Sequence, residues 1–405
     1  MTTNASRTHQ LSPAELKAKL DAGDQFFILD LRNRDEFANW RIEGRHPIPV
    51  LNIPYFEVLE EAESEDVPLE FASYARKHWQ DVLPRDAFIL AVCAKGGTSL
   101  LAAEGLQQLG YDVASLEGGM DAWGNYYDFR VIAAEADLAV FQVIRPARGC
   151  LSYVLAAGGQ AVIVDPLRHI DQYLNFTQAN GLNIVAALDT HGHADHISGG
   201  SALAEKLNIP YYFHPYDGIH PLDVMPAAVA YTPLWADQVL TFGNISVKAL
   251  HIPGHTLGNI AYLVNGKYLL SGDSIFIESV ARPDLGGRGD VWSPIHFRSL
   301  SRLLTLPDET VVLPGHFSHP SEGNPEGLYG ESLGVLKAKN EGLRVVLAGE
   351  ETFVKYLLSS LPTFPPQYVD IKRVNAGLLK PDEEKASELE LGRNICALSQ
   401  AYKEV

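Results

Sequence analysis

Thr190-His191-Gly192-His193-Ala194-Asp195-His196 sets three imidazoles and a carboxylate within six consecutive positions, 191 to 196. Histidine is the commonest metal ligand among side chains, and a carboxylate beside it suits zinc or iron. The residues just ahead, Ile184-Val185-Ala186-Ala187-Leu188, are apolar and β-prone. They read as a buried strand that ends where the ligands begin. A polar turn that happens to be rich in histidine is the plain alternative. The rest of the chain argues against it.

Working outward, the same pattern recurs. Val247-Lys248-Ala249-Leu250 leads through His251-Ile252-Pro253-Gly254 to His255. Tyr268-Leu269-Leu270 leads through Ser271-Gly272 to Asp273, and Thr310-Val311-Val312-Leu313 leads through Pro314-Gly315 to His316. Upstream, Ala161-Val162-Ile163-Val164 ends at Asp165. Each is an apolar run, a tight turn and one metal-capable side chain, the arrangement by which rigid scaffolds present reactive groups. A glycine before each downstream ligand (Gly254, Gly272, Gly315) lets backbone approach closely. The segments together predict one metal centre built from parts distant in sequence.

This pattern resembles the metallo-β-lactamase superfamily, whose motif is His-x-His-x-Asp-His followed by separate His, Asp and His positions. The match falls on His191, His193, Asp195, His196, His255, Asp273 and His316, with Asp165 on the strand before, and spans roughly residues 137–370. The resemblance implies an αββα sandwich with the metal at one edge.

At 405 residues the chain is long for one domain. A net charge of −18 argues against nucleic acid or an anionic membrane as the main partner. Three cysteines, Cys93, Cys150 and Cys396, are too few for a disulfide framework and fit a reducing compartment. The first ten residues lack an apolar signal core, and no apolar run is long enough to span a bilayer. The expected location is therefore the cytoplasm.

Ahead of the metal region, short apolar runs alternate with helical stretches. Ser12-Pro13-Ala14-Glu15 is a capping box that opens a helix closed by Gly23. Phe26-Phe27-Ile28-Leu29-Asp30, Asp86-Ala87-Phe88-Ile89-Leu90-Ala91-Val92 and Val113-Ala114-Ser115-Leu116 read as buried strands, and residues 71–82 and 100–109 as helices. This alternation predicts a small parallel α/β domain. The second strand ends at Cys93, followed by Ala94-Lys95-Gly96-Gly97-Thr98-Ser99 and a helix start. Backbone N–H groups and the helix dipole favour a thiolate there, and Lys95 adds positive charge. A small buried thiol without chemistry is the bland alternative.

This region resembles the rhodanese (sulfurtransferase) family through Leu29-Asp30-Leu31-Arg32, Asn52-Ile53-Pro54, the Cys93 loop and Leu116-Glu117-Gly118-Gly119-Met120-Asp121-Ala122-Trp123. The resemblance implies that Cys93 carries a persulfide and acts catalytically. Two positions depart from the family. Thr98 stands where an arginine is usual, and Arg41-Ile42-Glu43-Gly44 replaces the usual Gly-His-Ile-Pro-Gly-Ala segment. The missing arginine argues against thiosulfate as donor. Lys95 or Arg32 would have to grip an anionic substrate instead.

The expected organisation is α/β plus α+β. A rhodanese-like domain (9–126) and a linker (127–137) precede the αββα domain (138–375) and a C-terminal helical tail (376–405). In the tail, Leu391, Ile395, Leu398 and Tyr402 form one apolar stripe at helical spacing, facing the metal domain or a second copy in a homo-oligomer. One tail helix is too little for a separate helical substrate domain. His214, His251 and His319 lie outside the motif and read as structural, and Cys150 and Cys396 as packing residues.

The donor set admits two metals, or one iron on two histidines and a carboxylate with open positions. Flanking segments (Ser274-Ile275-Phe276-Ile277, Ala281-Arg282-Pro283-Asp284-Leu285 and Pro314-Gly315-His316) resemble the persulfide dioxygenase branch, which oxidises glutathione persulfide with dioxygen. That resemblance implies one Fe(II) per chain on His191, His255 and Asp273. It leaves His193, Asp195, His196 and His316 as further motif positions and puts Arg282 near the substrate. The alternative is a glyoxalase II-type thioesterase with two Zn(II) per chain and a non-catalytic rhodanese-like docking module.

Overall fold

A computed structural model of the chain describes residues 9–392 and 394–398. The chain divides between Asp128 and Phe129 into two compact units, with Arg145–Arg148 grouped with the first.

In the first unit, Ser12 caps the helix Pro13–Ala22 and the Glu15 carboxylate reaches back to the Ser12 N–H at 2.8 Å. Gly23 ends the helix at φ 71°. Five parallel strands follow the order Gln10–Leu11, Val113–Leu116, Ile89–Val92, Phe27–Asp30, Val50–Asn52. Alternate residues feed two cores. Leu29, Ala91 and Val113 face one side, and Ile28, Leu90, Val92, Ala114 and Leu116 face the other. A sheet buried on both faces explains the continuous apolar runs of its strands. The expected helix at 71–82 is Val67–Tyr74, widening into a π-turn at Ala75–Trp79.

The second unit is a two-sheet sandwich. Its seven-stranded sheet runs Thr232–Pro233, Tyr211–Phe213, Asn183–Leu188, Gln160–Val164, Cys150–Ala157, Ala139–Arg145, Asp128–Ala134. Its six-stranded sheet runs Val239–Phe242, Ile245–His251, Ile260–Val264, Tyr268–Gly272, Val311–Pro314, Glu331–Ser332. Period-two alternation builds the layers. Ile260, Tyr262 and Val264 meet Leu151, Tyr153 and Leu155 between the sheets. Ala261, Leu263 and Leu269 face outward onto Leu300, Leu343 and Phe353 of the covering helices. Helices Ile170–Ala179 and Gly200–Leu207 pack against the Asn183–Leu188 strand of the other sheet.

Strand direction places the ligand turns. Ile245–His251 is antiparallel to Ile260–Val264, which is antiparallel to Tyr268–Gly272. Two reversals restore the direction, and Val311–Pro314 is parallel to Tyr268–Gly272. The turns bearing His255, Asp273 and His316 therefore leave one edge of the sheet. Gln160–Val164 and Asn183–Leu188 are parallel as well, so Asp165 and the histidine motif leave their sheet together.

Three expectations are corrected. The proposed linker, residues 127–137, contains the edge strand Asp128–Ala134, whose Ile132 and Ala133 pack on the sandwich core. Helices after the last strand number five among the described residues, not one: Leu333–Lys339, Glu341–Leu347, Glu350–Ser360, Gln367–Asn375 and Glu383–Leu389. The tail stripe is not helical. Leu391, Ile395 and Leu398 lie past the last helix, where Ala397 pairs with Ala281 as an antiparallel bridge, and Tyr402 lies outside the described residues. Backbone pairing with Ala281 overrides the helical spacing. No helix among the described residues is long and apolar enough to cross a membrane.

Gly105 marks the tightest helix contact in the first unit, since a Cβ there would lie 2.2 Å from the Pro68 carbonyl oxygen. Alanine gains about 1 kcal/mol of helix propensity, but overpacking costs roughly 1–3 kcal/mol. The contact is with rigid backbone, so Gly105→Ala destabilises the unit. Hydrogen exchange in Val67–Tyr74 and Gly97–Gln108 should accelerate in this variant and stay unchanged in the sandwich.

Candidate metal centre and the Cys93 loop

His191, His255 and Asp273 converge as one group, with a ligand atom from each lying within 4.8 Å of the others. None of the three is more than 1% exposed. Asp273 Oδ2 lies 3.5 Å from His255 Nε2 and 3.9 Å from His191 Nε2. All three of these atoms are buried and lack a hydrogen-bond partner.

The partners on the far side of each ring explain why. His255 Nδ1 lies 2.7 Å from the Arg282 carbonyl, which can only accept, so Nδ1 carries the proton and Nε2 is bare. Thr190 Oγ1 donates to Asp165 and lies 2.9 Å from His191 Nδ1, which fixes the same tautomer. Such outer partners commonly orient metal-bound histidines. Burial, with His193 and His255 nearby, holds the His191 pKa well below its usual value, and burial lowers that of His255. Burial alone would raise the Asp273 pKa, but His316 outweighs it and keeps the acid ionised. Two neutral imidazoles and one carboxylate, each with a bare buried donor, are what a divalent cation needs.

The remaining motif residues fall into other groups. Asp195, His196 and His316 cluster with Cys150. His316 lies between two carboxylates, Nδ1 at 2.5 Å from Asp273 and Nε2 at 2.8 Å from Asp195. Burial opposes charging this ring, but the two carboxylates hold its pKa well above the ordinary value. Burial likewise opposes a charged Cys150, yet His196 and His316 outweigh it and draw the thiol down to about 6. His193 joins Asp165 and Asp189 instead, with Nε2 at 3.2 Å from Asp165. Asp165 also accepts the Thr190 N–H at 2.6 Å, so it braces the motif turn. His214 and His251 stack on each other at 4.3 Å beside Tyr216 and Trp235, in line with a structural role.

Arg282 is not free for substrate. Its guanidinium holds both Asp284 oxygens, at 2.7 and 2.9 Å, and the Pro362 carbonyl at 2.9 Å. What it offers the centre is its backbone carbonyl, on His255.

Several braces carry no sequence signature. Asp217 accepts from Gly192 N–H, Thr256 Oγ1 and Gly258 N–H, tying the motif turn to the His255 turn. From Gln367–Asn375, Asn375 donates to the His193 and His196 carbonyls, each at 2.9 Å, and Lys372 to the Gly192 carbonyl. Neither residue belongs to a pattern that names a partner so far away in sequence. Cys150 and Cys396, read as packing residues, both sit among metal-capable groups.

In the first unit, Cys93 Sγ accepts from the Gly96 N–H at 3.1 Å and the Ser99 N–H at 3.4 Å, with Ser99 Oγ at 3.3 Å. This cradle at the start of Gly97–Gln108 suits an anionic sulfur. Gly119 packs against the loop so closely that a Cβ would meet the Cys93 carbonyl at 2.4 Å. Of the two cations considered as arginine substitutes, Arg32 is buried and held by Asp30 at 2.7 Å and the Trp40 carbonyl at 2.9 Å. It is committed. Lys95 is exposed on the loop.

A sandwich of two mixed sheets with a buried histidine–aspartate cluster at one edge defines a metal-binding protein of the metallo-hydrolase fold. Family comparisons agree. Residues 145–316 match the metallo-beta-lactamase superfamily and residues 12–126 a rhodanese-like domain. The chain is 31% identical over 180 residues to the Bacillus subtilis protein named "Probable metallo-hydrolase YqgX", covering 41% of this chain and 83% of that one. It is 37% identical over 163 residues to hydroxyacylglutathione hydrolase of Xanthomonas campestris, covering 40% of this chain and 58% of that one. The crystal structure of a metallo-beta-lactamase from Staphylococcus aureus superposes with TM-score 0.52 at 29% identity, covering 59% of this chain and 72% of that one. The chain belongs to the metallo-beta-lactamase superfamily, with a rhodanese-like domain preceding the sandwich.

A Cβ at Gly315 would lie 2.6 Å from Asp273 Oδ1. Gly315→Ala should push that carboxylate off line, and metal affinity should fall by about 10–100-fold, the usual effect of disturbing an outer partner. Titration with a competing chelator measures this. Unchanged affinity would show that the Asp273 carboxylate is not a ligand.

Proposed function

We propose that the sandwich is a persulfide dioxygenase holding one iron(II) on His191, His255 and Asp273. The substrate is a thiol persulfide, with glutathione as the thiol the family resemblance suggests. The balanced reaction is RSSH + O2 + H2O giving RSH, sulfite and two protons. The terminal sulfur loses four electrons and dioxygen takes up four. The observation that carries this reading is the donor set of the group: two neutral imidazoles and one carboxylate, each with an unpartnered buried donor atom. That is the facial donor set of non-haem iron oxygenases, which leaves positions open for substrate and dioxygen. Bound there, iron(II) would bring the two reactants together and carry electrons between them. The protein's own part is to hold both rings through the Arg282 carbonyl and the Thr190 hydroxyl, and to keep the donors out of water.

In the rhodanese-like domain, Cys93 carries sulfane sulfur. Its Gly96 and Ser99 donors support that role, and exposed Lys95 is the cation left to meet an anionic substrate. A persulfide-carrying domain and a persulfide-oxidising domain on one chain are chemically matched.

A second reading has its own support. Asp195, His196 and His316 form a neighbouring group in which His196 Nε2 lacks a hydrogen-bond partner. With the similarity to hydroxyacylglutathione hydrolase, this favours a two-zinc thioesterase with a non-catalytic docking module. The single-iron reading accounts better for the distinct His191–His255–Asp273 group.

Oxygen uptake by the iron-loaded chain given glutathione persulfide, with sulfite quantified, decides between them. Uptake matched by sulfite is expected, and Asp273→Ala should lose both iron and uptake. Two zinc ions per chain, thioester cleavage and no uptake would establish the hydrolase instead. For Cys93, intact mass after incubation with a persulfide donor should rise by one sulfur atom. The same rise in Cys93→Ser would remove the sulfur from this residue.

A further inference from the structure

The donors read as the iron site are closed off. His191 is 1% exposed, and His255 and Asp273 are 0% exposed. A thiol persulfide must reach them, so part of the wall has to move. Most of the wall is fixed. Asp217 ties the motif turn to the His255 turn, and Lys372 and Asn375 hold the motif turn from the helix Gln367–Asn375. The Asp273 and His316 turns leave two strands paired within one sheet.

One part is held differently. Residues 394–398 lie past the last helix and join neither sheet. Arg282 N–H donates to the Cys396 carbonyl at 3.0 Å, Leu398 N–H to the Val280 carbonyl at 3.0 Å, and Ala397 forms an isolated bridge with Ala281. Two side chains latch this strap. Asn394 Nδ2 donates to Asp195 Oδ2 at 2.9 Å, and Tyr368 Oη accepts the Ile395 N–H at 3.1 Å. Its place is over the centre. Cys396 Sγ lies within 4.8 Å of one oxygen each of Asp195 and Asp273, and Cys396 and Ala397 pack in one cluster with Phe276, Ala281 and Tyr368. Burial, with those two acids nearby, holds the Cys396 thiol well above its usual pKa, so it stands there as a neutral plug. Elements that open for ligands come from the least firmly held parts of a fold.

The strap also connects to the donors. Arg282 gives its N–H to Cys396 and its carbonyl to His255 Nδ1. Asp195, latched by Asn394, meets His316 Nε2 at 2.8 Å, and His316 Nδ1 meets Asp273 at 2.5 Å.

We propose that residues 394–398 are a lid on the metal centre, which lifts from Val280–Arg282 and Asp195 to admit the persulfide and closes behind it to shut out water. The proposal rests on the reading that His191, His255 and Asp273 hold the reacting metal. Closure of this kind keeps a reaction away from solvent. The lid supplies no ligand, so loosening it changes how fast a metal enters and leaves while the equilibrium affinity stays near that of the wild type.

Zinc exchange on the full chain, read with a chromophoric chelator, tests this. Asn394→Ala should speed both zinc entry and zinc release by about tenfold, the usual worth of a hydrogen bond to a charged group. A chain ending at Leu391 should exchange faster still. Hydrogen exchange of the zinc-loaded wild type needs no variant: the amides of Arg282, Ile395 and Leu398 should exchange together, ahead of those in Ile260–Val264. Strap amides protected as firmly as that strand overturn the proposal. So does zinc exchange at the wild-type rate in both altered chains, or faster release without faster entry, which marks a weakened site in place of an opened one. Each of these leaves the metal centre standing. Failure of the wild type to bind zinc at all overturns the metal-centre reading and the lid with it.

Discussion

Desolvated donors without partners are the constraint on which the second unit turns. An unpaired buried polar atom costs about 1–3 kcal/mol, and more where charge is involved. His191 Nε2, His255 Nε2 and Asp273 Oδ2 carry that cost within a few ångströms of each other. A fold keeps such a cluster when something binds there and repays the desolvation. The opposite faces of the same side chains are fully engaged, with the Arg282 carbonyl on one ring, Thr190 on the other and His316 on the carboxylate. Each group thus has one face for the protein and one for a cation.

Rigidity comes from the sandwich. The side chains between the sheets fix the strand ends, and strand direction brings the ligand turns to one edge. Close backbone approach does the fine positioning. Gly272 at φ 49° has no room for a Cβ, which would meet Thr190 Oγ1 at 2.5 Å. The motif turn is also held from outside, by Asp217 and by Lys372 and Asn375. The C-terminal helices therefore complete the centre as well as covering the sheet.

Sulfur recurs in both units. In the first, backbone N–H groups at a helix start cradle Cys93. In the second, Cys150 and Cys396 lie against the acids and imidazoles of the centre. The cradle favours anionic sulfur on Cys93 through donors, and His196 and His316 favour it on Cys150, whereas burial with Asp195 and Asp273 nearby holds the Cys396 thiol well above its usual pKa.

The sequence by itself determined the two domain types, the strands that end in ligands and the seven motif side chains. Those features are local, an apolar run followed by a glycine turn and a metal-capable residue, and they survive without knowledge of distant partners. It also determined the Cys93 loop, because a strand–glycine–helix junction is itself a local pattern. Tertiary structure decided how the seven side chains divide, with His191, His255 and Asp273 in one group, Asp195, His196 and His316 with Cys150 in another, and His193 turned to Asp165. It committed Arg282 and Arg32 to Asp284 and Asp30, since a guanidinium goes to the carboxylate that folding places beside it. It drew the tail out of its helical spacing, because the Val280–Arg282 backbone offered the tail hydrogen bonds that periodicity cannot reveal. Partners more than a hundred residues apart, such as Asn375 with His193 or Asn394 with Asp195, exist only once the chain has closed on itself.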